Sequence, residues 1–296
     1  MHFKSIALAA SLLCAATLSF AQASDTLKKV ADSGKITFAY RESSVPFSYL
    51  AGSTQPIGLS VDLSMAVADA VKKRLNMPNL KIEWQSVTSA NRIPLVANGT
   101  IDLECGSTTN NSDRAKQVEF AINHFYTGTR LMVKKNSGIK NYADLAKKTY
   151  ATTSGTTNAL VMRKHVADNK IDAEVLLGKD HADSMLMVEA GRAVAFAMDD
   201  ILLFGLIGTA KNPAEWEVVG DALQVEPYAC MMRKDDPKFS ELVNGAIGGL
   251  MKSGEFEKLY TKWFMQPIPP RNAAIGLPMN KELRDNLKAL SNKPAM

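Results

Sequence analysis

The chain has 296 residues, 46% hydrophobic and 22% charged, and its 35 basic and 30 acidic side chains leave a formal net charge of +5. So mild an excess, spread along the chain without a dense cluster, excludes a basic nucleic-acid-binding face. The length exceeds what one hydrophobic core usually organises and implies two domains.

Residues 1–23 read as a secretory signal peptide: Lys4, an apolar small-residue run over 6–20, then Ala21-Gln22-Ala23 as cleavage signature. That run is too short for a membrane span, and no later stretch reaches the roughly 20 apolar residues a spanning helix needs. The mature chain is expected to be soluble and periplasmic. Leu13 precedes Cys14 where lipoprotein processing wants a small residue, so no lipid anchor is expected. Removing the signal peptide leaves Cys105 and Cys230. They are either two buried thiols or one bridge, and export to a compartment where disulfides persist favours the bridge.

Residues 35–40 alternate as a strand, and 62–75 carry apolar residues at helical spacing, ending before Asn76 and Pro78. Further strand-like runs are 80–84, 101–105, 129–133, 149–152, 173–177 and 194–198, mostly separated by helix-like segments. The alternation predicts an α/β fold with parallel sheets. After Pro227 come a strand over 228–232 and helices over 237–253 and 255–264, which Pro267, Pro269 and Pro270 then stop. No Gly/Ser-rich linker or internal repeat intervenes, so two lobes must be joined through ordered segments. The tail beyond Pro270 is expected to be peripheral.

In open α/β sheets ligands sit beyond the carboxyl ends of the strands, so the residues that follow each strand carry the chemistry. Here these are Arg41; Ser89 and Arg92; Ser107, Thr108, Thr109 and Arg114; Thr153-Ser154-Gly155-Thr156-Thr157 before a helix; His181; and Asp199. Arginine offers a planar fork of donors matched to a carboxylate. A Ser-Gly-Thr-Thr turn at a helix start presents free backbone N–H groups to an anion. Asp199 suits an ammonium group. Each signal alone is weak, since Thr-Ser-Gly is often only a helix cap and Asp199 could merely cap the next helix. Their shared position after strands gives them joint weight: several cations and one acid describe a ligand with two carboxylates and one amine.

These residues resemble the periplasmic glutamate/aspartate-binding proteins of ATP-binding-cassette importers over nearly the whole mature chain. The most specific pieces are Tyr40-Arg41-Glu42-Ser43-Ser44-Val45-Pro46-Phe47-Ser48, Thr88-Ser89-Ala90-Asn91-Arg92-Ile93-Pro94-Leu95, Glu104-Cys105-Gly106-Ser107-Thr108-Thr109-Asn110-Asn111 and Ala197-Met198-Asp199-Asp200. The resemblance implies a two-lobe periplasmic binding protein of type II, a Venus flytrap with two hinge strands. Lobe 1 would comprise 24–126 and 226–296 with the C-terminal tail, and lobe 2 would be 127–225. It further implies that Arg114, with Ser107, Thr109 and Thr157, holds the α-carboxylate, that Asp199 pairs with the α-ammonium, and that Arg41, Ser89, Arg92 and His181 receive the side-chain carboxylate. The family's disulfide would fall on Cys105 and Cys230. Ala90 departs from the polar residue many relatives carry, leaving Ser89 and Arg92 in place.

The implied partners are glutamate or aspartate and the membrane subunits of the importer, with the receptor acting as a monomer and needing no cofactor or metal. Two alternatives remain: a periplasmic enzyme on the same fold, such as a cyclohexadienyl dehydratase, or a receptor for another dicarboxylate. An enzyme would need a general acid or base at the reacting carbon, and the predicted cleft is dominated by arginines.

Overall fold

The computed structural model describes residues 25–295; the expected signal peptide lies outside them. The chain opens with α1 (Thr26–Ser33), β1 (Lys35–Tyr40), the short hairpin β2 (Ser43–Ser44) and β3 (Ser48–Tyr49), and α2 (Leu59–Leu75). It continues through β4 (Lys81–Ser86), α3 (Arg92–Ala97), β5 (Leu103–Glu104), β6 (Glu119–Thr127), β7 (Thr129–Lys134) and β8 (Lys148–Thr153). Then follow α4 (Thr157–Asp168), β9 (Ala173–Gly178), α5 (His181–Glu189), β10 (Ala195–Asp199), α6 (Asp200–Thr209), β11 (Trp216–Val219) and β12 (Glu226–Met232). Three helices close the chain: α7 (Pro237–Ser253), α8 (Glu255–Tyr260) and α9 (Lys281–Ala289).

Two five-stranded sheets result, ordered β4-β1-β5-β12-β6 and β11-β7-β10-β8-β9. Both are mixed, which corrects the expectation of parallel sheets. β1 runs parallel to β4 and β5, but β12 is antiparallel to β5 and β6, and β7 is antiparallel to β10 and β11. The antiparallel strands are those through which the chain leaves one sheet for the other. Only Gly128 separates β6 from β7, and the return enters β12 at Glu226, which pairs with Thr127. The two crossings therefore lie side by side. Gly128 is forced there, because a Cβ would sit 2.4 Å from the Gln224 carbonyl oxygen.

Each sheet has its own apolar support. Ile36 and Phe38 of β1 pack with Leu63 and Val67 of α2 and with Phe239 and Val243 of α7. Leu131, Val133, Tyr150, Met162, Ala195 and Ala197 form a separate core around the second sheet. Beside the crossings, Phe47 meets the rings of Phe125, Tyr228 and Phe264 at 5.0, 5.2 and 5.6 Å between centroids. Cys105 and Cys230 are disulfide-bonded, their Cα atoms 4.2 Å apart, next to the antiparallel contact of β5 with β12.

Three local expectations are corrected. The strand over 101–105 contracts to two residues, because the Asp102 carboxylate accepts the Thr37 N–H and pairs with Lys29. The helix over 255–264 ends at Tyr260 and widens into a π-type turn, Thr261–Met265. The tail is not peripheral: α9 buries Leu283, and buried Asn286 donates to the Asn123 carbonyl of β6 at 2.7 Å. Among the described residues no helix is long and apolar enough to cross a membrane.

Candidate functional site

The carboxyl ends of the parallel strands in both sheets open toward each other, and nine side chains singled out by sequence are all buried between them. Arg41 follows β1 directly, Arg92 begins α3, Thr157 begins α4, His181 begins α5 and Asp199 ends β10. Strand-then-turn geometry thus delivers each side chain to one region. Ser89, Arg92, Ser107, Thr109, Thr157, His181 and Asp199 converge on one tightly closed pocket, together with Thr156, Asn158, Met198 and Leu202. Arg41 and Arg114 touch this lining, Arg41 at His181 and Arg114 at the Thr109 carbonyl.

Contacts cross the cleft at several points. Thr109 and Thr157 bring their hydroxyl oxygens within 3.3 Å. Arg114 donates from Nη1 to the Thr109 carbonyl at 3.0 Å and from Nη2 to the Gly155 carbonyl at 3.2 Å. Gly155 itself, at φ +76°, lies so close to Ala90 that a Cβ would stand 2.5 Å from the Ala90 Cα.

The guanidinium groups carry unmet demand. Arg41 Nη1, Arg92 Nε and the Ser89 hydroxyl are buried without a hydrogen-bond partner among the described residues. Burial first, then the neighbouring Arg92 charge, pushes Arg41 down to about 9 and Arg114 down to about 10, and burial also lowers Arg92. Buried donors left unpaired cost stability, so this end of the cleft favours an anion that offers several acceptors. The start of α4 adds N–H groups of the same polarity: Thr156 caps it, its side chain accepting from the Ala159 N–H.

At the other end, Asp199 accepts from the Tyr228 hydroxyl at 2.5 Å and from Asn158 Nδ2 at 2.7 Å. Burial, then the nearby Glu226 charge, pushes its carboxyl up to about 8. A cation placed there would relieve both effects.

Sequence reasoning missed two carboxylates. Glu104 is fully buried, 3.8 Å from Arg92, and accepts from the Thr108 hydroxyl at 2.7 Å. Glu226 is fully buried and accepts from the hydroxyls of Thr109 and Thr157. The expectation of several cations with one acid is therefore corrected: three arginines face three buried acids. The available signal was an acid inside each apolar run, Leu103-Glu104-Cys105 and Val225-Glu226-Pro227.

Residues 36–266 match the model of the bacterial extracellular solute-binding proteins, family 3. The chain is 46% identical to the L-glutamate/L-aspartate-binding protein of Pseudomonas aeruginosa, over 98% of this chain and 96% of that one. It is 48% identical to the glutamate/aspartate import solute-binding protein of Escherichia coli, over 92% of this chain and 89% of that one. A solved mutant of ArgBP from T. maritima superposes with a TM-score of 0.72 at 25% identity, over 81% of this chain and 99% of that one. These relatives are named as binding proteins, not enzymes, and the solved one shares this fold. The chain belongs to the bacterial extracellular solute-binding proteins, family 3.

Proposed function

We propose that this receptor captures L-glutamate or L-aspartate between its two lobes in the periplasm and hands it, as a monomer, to the membrane subunits of an ATP-binding-cassette importer. With lobe 1 as 24–126 and 226–296 and lobe 2 as 127–225, neither lobe alone satisfies the ligand. Arg114, with Ser107, Thr109 and Thr157, takes the α-carboxylate, and Asp199 takes the α-ammonium. Arg41, Ser89, Arg92 and His181 form the end that takes the side-chain carboxylate. The observation that carries this reading is the pair of buried arginines with unpartnered nitrogens, Arg41 Nη1 and Arg92 Nε, beside the unpartnered Ser89 hydroxyl. A neutral side-chain amide would leave those charges without an anion, which is costly in a buried site. The names of the two bacterial relatives support the same choice.

Calorimetric titration with L-glutamate, L-aspartate, L-glutamine and L-lysine tests it. The two acidic amino acids are expected to bind and the other two not. Glutamine binding as tightly as glutamate would sink the proposal.

A further inference from the structure

The ligand assignment above leaves Glu226 without a task, although it is fully buried at the first residue of the returning strand β12. Its Oε2 accepts from Thr109, which follows β5 in the first sheet, and from Thr157, at 2.5 Å, which begins α4 beside the second. Its Oε1 accepts from Gln224 Nε2. One carboxylate oxygen thus holds a hydroxyl from each side of the cleft.

A hydroxyl has one hydrogen and two lone pairs. With both hydrogens committed to Glu226, the Thr109 and Thr157 oxygens, 3.3 Å apart, can offer only lone pairs to whatever else approaches them. Both oxygens belong to residues that line the same pocket as Asp199. We infer that Glu226 is a specificity-determining positioning residue, which orients the Thr109 and Thr157 hydroxyls as acceptors for the ligand's α-ammonium. This deepens the reading of the cleft as an amino-acid site and rests on it. The two threonines are then divided: the backbone N–H at the start of α4 stays available to the α-carboxylate, while the side-chain oxygens turn to the ammonium. A dicarboxylate of the same length without an amine would meet two lone pairs and the Asp199 carboxylate at that position, and be rejected.

The test compares L-glutamate with glutarate, the same five-carbon diacid lacking the amine, by competition titration that reads dissociation constants into the millimolar range. Glu226→Leu is expected to weaken L-glutamate about 10- to 100-fold, the worth of hydrogen bonds to a charged group, and to change glutarate far less. Glu226→Gln keeps one oxygen able to accept both hydroxyl hydrogens and is expected to retain most of the discrimination. Equal loss for both ligands in Glu226→Leu, or an unchanged L-glutamate affinity, overturns the inference. Glu226→Gln losing as much as Glu226→Leu also overturns it, since charge rather than hydroxyl orientation would then be at work. Should Glu226→Leu fail to fold, Thr157→Val carries the test: selective loss of L-glutamate supports the inference, and equal loss of both ligands refutes it. Wild-type protein that binds neither acidic amino acid would be a failure of the proposed function itself, and the inference falls with it.

Discussion

Arg41 Nη2 lies 3.3 Å from His181 Nε2 across the cleft. Arginine can only donate, so Nε2 accepts, and the ring proton resides on Nδ1, 3.0 Å from the Thr153 hydroxyl oxygen. His181 is therefore neutral, its pKa held well below 6.5 by burial and then by the Arg41 and Arg92 charges. It thereby holds the Arg41 guanidinium at the end of the cleft proposed for the side-chain carboxylate.

That neutrality makes stability depend on pH. His124, buried and bonded to the Gly106 carbonyl, is pushed by burial to about 4. Both histidines have lowered folded pKa values, so below about pH 6.5 the unfolded chain binds more protons and stability falls with falling pH. Asp199 has the opposite sign: its carboxyl, raised to about 8, makes the folded state the greater proton binder between 3.8 and 8, and stability falls as pH rises there. Below 6.5 two histidines outweigh one aspartate; above it Asp199 acts alone. Carboxylates with lowered pKa values, such as Asp144 and Asp285, act only below this window, and Arg41 and Arg114 only above it. The ligand-free protein is expected to be most stable near pH 6.5, with slopes of at most about 1.4 kcal/mol per pH unit for each net proton. Thermal unfolding from pH 5 to 8 checks this, and Asp199→Asn should abolish the decline above 6.5. A steady rise to pH 8 in wild type would contradict the assignment.

Arg92 and Glu104 form the buried pair beneath the ligand site, 2% and 0% exposed at their side chains. Arg92→Met leaves Glu104 as an uncompensated buried charge and is expected to cost about 3–5 kcal/mol of stability as well as the affinity for acidic ligands. Adding Glu104→Gln should restore most of the stability and none of the affinity. Arg114→Met, at the end proposed for the α-carboxylate, should weaken acidic amino acids and any residual binding of neutral ones alike. Denaturant melts with calorimetry separate the effects; a double variant no more stable than Arg92→Met alone would rule out the pair as the cause.

The legible part of the fold and site was whatever repeats along the chain. Strand and helix periods placed 35–40 and 237–253 with the bounds found, because one face of each is buried against α2 or β6. Arg41, Thr157 and His181 were legible because each occupies the first positions after a parallel strand. Strand direction was not legible: periodicity is the same for β12 running either way, so the mixed sheets stayed hidden. Glu104 and Glu226 were hidden for a related reason. They sit within strand residues, where an acid reads as a solvent-facing alternation, and only the pairing of β12 with β5 at Glu104 and with β6 at Glu226 encloses them beside Arg92 and Thr157.

The Cys105–Cys230 bridge closes a loop of 125 residues that contains the whole second sheet. In the chain-entropy model a loop of that length stabilises by up to about 5 kcal/mol. Cys105→Ser with Cys230→Ser is expected to lower stability by several kcal/mol while leaving ligand preference unchanged, since neither sulfur lines the site. Peptide mapping without reductant should find the two cysteines joined in exported protein; both free would refute the bridge.

Gly205 offers a way to separate closure from folding. It lies inside α6, on the second-sheet side of the cleft, and a Cβ there would stand 2.3 Å from the carbonyl oxygen of Val45, in the β2–β3 turn of the first-sheet side. Within the helix itself alanine is favoured over glycine by about 1 kcal/mol, so Gly205→Ala should not unfold its own lobe. The clash exists only when the lobes meet. The variant should therefore keep or raise its ligand-free stability, lose at least about tenfold in L-glutamate affinity, and fail to compact fully when ligand is added, because ligand shifts the hinge only by its preference for the closed form. Gly208, on the same helix, has nothing within 4 Å of its would-be Cβ. Gly208→Ala thus carries the same gain in helix propensity without the clash, and should bind and compact as wild type does. Small-angle scattering with and without saturating L-glutamate, alongside calorimetry, distinguishes the two. If Gly205→Ala binds and compacts as fully as Gly208→Ala, the contact of α6 with Val45 is not part of the ligand-bound state.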